Sequence, residues 1–427
     1  MNQHVGYLLL QRVADKSGKC RMVDPLIHLA QVYGLVLAPR QLALDISLEI
    51  SGDCQRTLCK SLLTMKQYWL LNPGPVNTSE TVKQASISVD LCHREPEYAE
   101  LMQAIRTKLL EVAGLKQGEH HVALIAGSGT AAVELGLVSI VRPGKKLLTV
   151  KNGVYGDRMA NMAARSGIDC VSVEVPWGEL PDLKKIETLL KSDPDIDALS
   201  LVHHETTTGL INPVDAIGQL CKATDTLFYL DSVSGFAGEE LDIKASHIDF
   251  MAATANKCIH GLPGMSFVIV SDKGRKHLEQ VPPRSAYFDL GNYLKTQDTG
   301  NVPFTPCVPG ALSLNQALDE LAQSGGIQAR IKLYKERSSF LRGEFKKLGL
   351  QFYIDENLLS NSITTYHLPK GFNYAKLHDA LKEQGFVIYA GQGKLGSEVF
   401  RIANIGHVPM SAYADLVDCM RQLLREQ

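Results

Sequence analysis

Residues 121–135 read H-V-A-L-I-A-G-S-G-T-A-A-V-E-L, an apolar run followed by a glycine-rich turn and the start of a helical pattern. A strand that ends in such a turn and enters a helix is the first half of a βαβ unit. The same alternation continues outward from it. Apolar runs at 121–125, 147–150, 170–173, 198–202, 226–230 and 265–270 are separated by amphipathic stretches such as 155–166 and 182–191. Short apolar runs of this kind suit parallel strands covered on both faces and joined by crossover helices. The expected fold class is α/β, with a mainly parallel sheet in a large domain.

Past residue 310 the pattern changes. Long helical stretches at 311–323 and 327–348 precede short runs at 362–366, 387–389 and 400–402, with further helical patterns at 374–384 and 412–425. This predicts a smaller C-terminal α+β domain over 311–427, beside a large domain over 66–310 whose first residues, 66–87, form an arm. Residues 1–65 carry a helix-like pattern at 23–33 and no chemical motif, and are read as an N-terminal extension of unknown role.

With 45% hydrophobic and 21% charged residues over 427 positions, the chain reads as a globular protein with a sizeable core. A formal charge of −2 gives no basic excess for nucleic acid or an anionic membrane, so small-molecule partners are expected. The nine cysteines include no C-x-x-C pair and no dense framework, which suits reduced thiols. No window reaches the roughly 18 consecutive apolar residues of a membrane span. The N-terminal M-N-Q-H-V-G-Y-L-L-L lacks the basic flank and clean cleavage site of a secretory signal, and a cytoplasmic location is expected.

In an open α/β sheet, ligands bind beyond the carboxyl ends of the strands, so the residues after each run matter most. Gly127-Ser128-Gly129-Thr130 opens a helix, where free backbone N–H groups and the helix dipole favour phosphate and the two hydroxyls add donors. An ordinary turn with Thr130 as the N-cap fits the same residues. Asp231 ends the run 226–230, where a carboxylate either caps the backbone of residues 232–234 or meets a cation such as a protonated pyridine nitrogen. Lys257, within A-T-A-N-K-C-I-H-G-L-P-G (253–264), is either a solvated charge or an amine whose pKa burial depresses, ready to form an imine with an aldehyde. An anion cradle, a strand-end carboxylate and such a lysine at one sheet edge are together what pyridoxal phosphate requires. The adjacent pairs His120-His121 and His203-His204 cannot each turn both side chains to one metal from a strand, so no metal is expected.

From about residue 66 onward the chain resembles the class V, fold-type I pyridoxal-phosphate aminotransferases. The resemblance is carried by Leu70-Leu71-Asn72-Pro73-Gly74-Pro75-Val76, by the glycine turn at 127–130 with Val133-Glu134, and by Asn152-Gly153-Val154-Tyr155-Gly156-Asp157-Arg158-Met159. It continues through His203-His204-Glu205-Thr206-Thr207-Thr208-Gly209, Leu230-Asp231-Ser232-Val233-Ser234, Ala255-Asn256-Lys257-Cys258-Ile259-His260-Gly261 and Phe400-Arg401-Ile402-Ala403-Asn404-Ile405-Gly406. Within the family, the E-T-T-T-G and A-N-K-C-I-x-G stretches are similar to enzymes that transaminate 2-aminoethylphosphonate with pyruvate.

The resemblance implies the following roles. Lys257 is the imine-forming lysine and, once released, the base; Asp231 pairs with the pyridine nitrogen. Ser128, Gly129 and Thr130 hold the phosphate, Tyr155 stacks on the cofactor ring, Val233 packs on its other face, and Thr206 places a hydroxyl near the ring oxygen. Thr305 reaches the phosphate from a neighbouring subunit, which implies a homodimer. Arg401 anchors the acid group of the substrate, where the residue alone would equally suit a surface salt bridge. Gly74, in the turn Asn72-Pro73-Gly74-Pro75, lies either at the rim of the active site or simply in a rigid turn. Arg94 is a candidate second cation for a dianionic phosphonate. The implied activity is amino transfer from 2-aminoethylphosphonate to pyruvate; alanine:glyoxylate, serine:pyruvate and biosynthetic aminophosphonate transaminations are the alternatives. A cysteine desulfurase is disfavoured, since Cys307 and Cys419 lie in no recognisable flexible loop, and a turnover-deficient regulatory protein is disfavoured because the lysine, aspartate and arginine are all present.

Overall fold

The apolar runs become strands of a seven-stranded sheet. In chain order these are β1 (His120–Ala126), β2 (Lys146–Lys151), β3 (Asp169–Glu174), β4 (Ile196–Val202), β5 (Leu227–Asp231), β6 (Phe250–Thr254) and β7 (Met265–Ser271). Their order across the sheet is β1-β7-β6-β5-β4-β2-β3. The computed structural model describes residues 66–426, together with the antiparallel pairing of Val13–Ala14 and Cys20–Arg21 within 1–65. The helix-like pattern at 23–33 lies outside the described residues. By its contacts the chain forms two units, Met1–Met65 and Lys66–Gln427.

Six strands run parallel, and β7 runs antiparallel to both of its neighbours. The reason is the connection: parallel strands need a crossover of a dozen or more residues, usually a helix, and the segment 255–264 carrying Lys257 holds none. The chain therefore turns back beside β6. Along each strand alternate side chains enter opposite cores. Leu148, Leu199, Leu201, Phe228, Leu230 and Phe267 face one; Leu147, Ala198, Val202, Tyr229, Val268 and Val270 face the other. The first core is closed by helices including α1 (Pro96–Val112) and α6 (Val308–Gln323), the second by α2 (Gly129–Ile140) and α3 (Val154–Arg165). Between these in the chain, α4 (Leu183–Ser192) and α5 (Val214–Ala223) join the first layer through Ile186 and Ile217.

A second sheet, β8 (Ile363–His367), β9 (Tyr389–Ala390) and β10 (Val399–Ala403), has the order β8-β10-β9 and is antiparallel. Its apolar face packs against α7 (Gly326–Lys347), α8 (Tyr374–Glu383) and α9 (Met410–Arg425), with Tyr366 and Phe400 stacked at 5.4 Å between ring centroids. Among the described residues no helix is long and apolar enough to cross a membrane.

Candidate active site

The carboxyl ends of β1, β5 and β6 converge on a cavity of about 260 Å³. Ser128, Gly129, Thr130, Tyr155, Asp231, Val233 and Lys257 all line it. Ser128 is the N-cap residue of α2, extended at φ −73° and ψ 167°, and its side chain does not cap the helix. Thr130 lies inside the first turn, so the N-cap falls two residues earlier than the alternative sequence reading places it. The first N–H groups of a helix have few partners within it, and here no side chain caps them while Ser128, Gly129 and Thr130 line the cavity. Gly129 has no room for a side chain, since a Cβ would lie 2.6 Å from Val233 Cγ1.

Asp231 is buried at the end of β5 and lines the cavity. Its Oδ1 accepts from the Val233 N–H at 3.0 Å, which is the capping contact the sequence allows, and no cation pairs with it among the described residues. Burial pushes its carboxyl up to about 6, with the Val233 hydrogen bond and the charges of Arg158 and Lys257 pulling the other way.

Lys257 is half-buried at the cavity wall, and desolvation lowers its amine from 10.5 to about 8. Its Nζ donates to the Pro73 carbonyl. The neighbouring Gly74 has φ +115°, and a Cβ there would lie 2.6 Å from Lys257 Cδ and 2.8 Å from its Nζ. Two independent demands, a backbone conformation that L side chains avoid and the space of the lysine, thus meet at one residue. Gly74→Ala is expected to lower the cofactor content of the purified protein by at least several-fold, read from its visible absorbance after dialysis; an unchanged content would show that the lysine moves aside freely.

Arg401, on β10, has no exposed surface. Its Nε donates to the Ala390 carbonyl at 2.9 Å, and its Nη1 to the Thr206 carbonyl at 2.8 Å and to Gln392 Oε1 at 3.2 Å. Nη2 is buried without a partner, and no carboxylate pairs with this guanidinium among the described residues. The surface salt bridge that the residue type alone allows is therefore absent. Thr206 Oγ1 is likewise buried and unpartnered. These are two of nine such atoms among the described residues, and they lie together, since the Thr206 carbonyl accepts from Arg401 Nη1; a polar ligand there would satisfy both.

The site includes residues to which the sequence reading gave no role. Arg158 lines the cavity, its Nη1 donating to Thr130 Oγ1 at 3.2 Å and its guanidinium lying 4.7 Å from the centroid of the Tyr155 ring. It stands one helical turn after Tyr155, and that spacing was the available signal. Glu205, fully buried, accepts from the Tyr155 N–H. Of the other expected site residues, Arg401, Thr206 and Gly74 do not line this cavity, and Thr305 and Arg94 are exposed away from it. The paired histidines are held by hydrogen bonds, His203 Nδ1 to Ser232 Oγ at 2.9 Å and His204 Nδ1 to the Ser234 carbonyl at 3.3 Å. Burial pushes them down to about 4 and about 3, so both are neutral. Among the described residues no group of three His, Cys, Asp or Glu side chains is arranged to hold a metal ion.

A family model described as Aminotransferase class-V matches residues 79–405, which span all of these cavity residues. The chain is a class V aminotransferase. It is 37% identical over 366 residues to a 2-aminoethylphosphonate–pyruvate transaminase of Salmonella paratyphi B, covering 84% of this chain and 98% of that one. A protein of the same name from Klebsiella pneumoniae is 38% identical over 353 residues, covering 81% and 95%. Among solved structures, an alanine–glyoxylate aminotransferase from Nostoc sp. superimposes with a TM-score of 0.79 at 26% identity, over 84% of this chain and 96% of that one. An aspartate aminotransferase from Thermus thermophilus gives 0.76 at 27% identity, over 84% and 99%.

Class V aminotransferases use pyridoxal phosphate, and the residues present fit it. The uncapped start of α2 suits a phosphate, the buried and unpaired Asp231 suits a cationic ring nitrogen, and the desolvated amine of Lys257 suits an aldehyde.

Proposed function

We propose that this aminotransferase transfers the amino group of 2-aminoethylphosphonate to pyruvate, giving phosphonoacetaldehyde and L-alanine. The observation that carries the reading is the state of Arg401, a buried guanidinium with Nη2 left over and no carboxylate beside it. Nη2 is free for an acid group, and an acid group that displaced Gln392 from Nη1 would complete a paired contact with a carboxylate or a phosphonate, so one residue would serve the acid groups of both substrates. The name shared by the curated relatives favours an aminophosphonate among the possible amino donors.

Bound pyridoxal phosphate supplies the electron sink and carries the amino group between the two substrates. In this reading Lys257 Nζ would hold the cofactor through its aldehyde and would carry the proton at the substrate carbon. Asp231 keeps the ring nitrogen protonated. Ser128, Gly129 and Thr130 would hold the phosphate at the start of α2, Tyr155 and Val233 would hold the ring, and Thr206 Oγ1 would offer it a hydroxyl. Gly74 leaves space for Lys257, and a second copy of the chain supplies Thr305, which makes the working unit a homodimer. Arg94 adds a cation at the entrance; an unchanged KM for the phosphonate in Arg94→Ala would remove it from the site.

Arg401→Ala is expected to raise KM for both pyruvate and the amino donor by about 10²-fold or more, since truncating one partner of a buried charged contact costs about 2–5 kcal/mol. Steady-state kinetics with each substrate varied checks this, and a rise confined to one substrate would show that the acid groups have separate anchors. The function itself is tested with the purified chain, pyridoxal phosphate, 2-aminoethylphosphonate and pyruvate, followed for alanine. Absence of alanine there, with turnover of alanine and glyoxylate or of serine and pyruvate, would move the assignment to that donor pair.

A further inference from the structure

Helix α3 carries Tyr155 in its first turn, yet nothing within the helix caps it. Its N-cap residue is Gly153, which has no side chain to offer. The first N–H groups of a helix need acceptors from elsewhere. They find them in the turn that follows β4. The Val154 N–H donates to Thr207 Oγ1 at 3.2 Å, and the Tyr155 N–H donates to Glu205 Oε2 at 3.2 Å. Glu205 Oε1 in turn accepts from the Thr207 backbone N–H at 3.1 Å, so the carboxylate is tied to the main chain of the second capping residue.

Gly153 is part of the same arrangement. A Cβ on it would lie 2.2 Å from Glu205 Cδ and 2.6 Å from Oε1, so the carboxyl group fills the space where a capping side chain would otherwise sit. Glu205 has no exposed surface and makes no ion pair among the described residues. Burial pushes its carboxyl up to about 7, against the hydrogen bonds from Thr207 and Tyr155. The positive end of the α3 dipole is the compensation its position provides.

The turn that caps α3 also holds Arg401. The Thr206 carbonyl accepts from Arg401 Nη1 at 2.8 Å, and Gln392 Oε1 accepts both from that nitrogen at 3.2 Å and from Thr207 Oγ1 at 3.5 Å. Three consecutive residues therefore fix the backbone of Tyr155 and one arm of the arginine.

We propose that Glu205, with Thr207, is a positioning residue of the transamination site, capping α3 from outside the helix and thereby setting Tyr155 and Arg401 in register. The proposal rests on the roles given above to Tyr155 and Arg401. It predicts that loss of the Glu205 acceptor disturbs how the cofactor is held, and the acid-group site with it, while the fold survives.

The test uses the full chain and three variants, Glu205→Ala, Glu205→Gln and Thr207→Val. Glu205→Ala is expected to weaken pyridoxal phosphate binding about 30-fold by equilibrium dialysis, the usual scale for a lost hydrogen bond to a charged group. At saturating cofactor its visible circular-dichroism band falls to half or less, and KM for pyruvate rises more than kcat falls. Glu205→Gln keeps an acceptor for the Tyr155 N–H and recovers most of the band, and Thr207→Val shows a smaller loss of the same kind. Wild-type band and KM in Glu205→Ala would overturn the proposal, as would a Glu205→Gln protein no better than alanine. If Glu205→Ala does not fold, the other two variants decide: wild-type bands and KM in both would equally overturn it. Dialysis and dichroism need no substrate, so these outcomes are separate from a failure of the substrate assignment, which shows only as missing alanine in the wild-type protein.

Discussion

Lys257→Ala is expected to abolish transamination, with turnover falling by about 10⁴-fold or more, because one substitution removes both the cofactor anchor and the proton carrier. The amine it deletes lies half-buried beside Gly74 and bonded to the Pro73 carbonyl, and nothing else in the cavity lining replaces it: Arg158, its other cation, stays protonated in proteins. Borohydride reduction followed by mass spectrometry should fix the cofactor on the Lys257 peptide of the wild-type chain and on no peptide of the variant. A modified peptide elsewhere, or a variant with a few per cent of wild-type turnover, would sink the assignment. The same burial sets a pH dependence. An amine attacks an aldehyde only when neutral, and with its pKa lowered from 10.5 to about 8, Lys257 is neutral above about pH 8. The rate at which cofactor-free protein captures pyridoxal phosphate should therefore rise with pH to a midpoint near 8; a midpoint near 10 would mean that the lysine is solvated.

How far the site was legible beforehand depends on which physical signal each residue left. The strand ends were accessible because their apolar runs are long: Leu230-Asp231 and Ile125-Ala126 mark the carboxyl edge where ligands bind. The strand Phe250–Thr254 was not counted among those runs, although it lies in the middle of the sheet and every residue of it is buried. Its weak signal comes from Ala252 and Ala253, poor strand formers that tertiary packing overrides. On the face of Ala252 a small residue suits the close approach of α2, a Cβ on Gly129 lying 3.4 Å from Thr254 Cβ, while Ala253 enters the opposite core. The run at 387–389 was read as one strand and is two: Phe386–Val387 pairs with Trp69–Leu70, and Tyr389–Ala390 pairs with β10, with buried Ile388 between them. Pairing partners are chosen across the fold, and local periodicity carries no record of them. The same limit explains Glu205 and Arg158. Their residue types are ordinary, and only the distances to Tyr155 give them meaning.

Asp231→Asn should move stability and activity in opposite directions. The folded carboxyl binds its proton more tightly than the unfolded one, about 6 against 3.8. Between those values folding takes up a proton, so the stability of cofactor-free wild-type protein falls as pH rises through the window and stays low above it. The cost is on the order of 1–3 kcal/mol. Asparagine has no such term, and its Oδ1 still accepts from the Val233 N–H. The cofactor-free variant should thus melt a few degrees above wild type at pH 8, with the gap closing as pH falls from about 6 toward 4. Turnover should drop by about 10²–10⁴-fold, the usual range for loss of a positioned proton-holding group, because nothing then keeps the ring nitrogen protonated. Melting curves of cofactor-free protein and alanine formation, measured on one preparation, give both numbers. A lower melting temperature at pH 8 with activity kept would make Asp231 a capping residue of the 231–234 turn. The expected pair of signs means instead that the fold carries an uncompensated buried charge, tolerated because a cationic ligand group neutralises it.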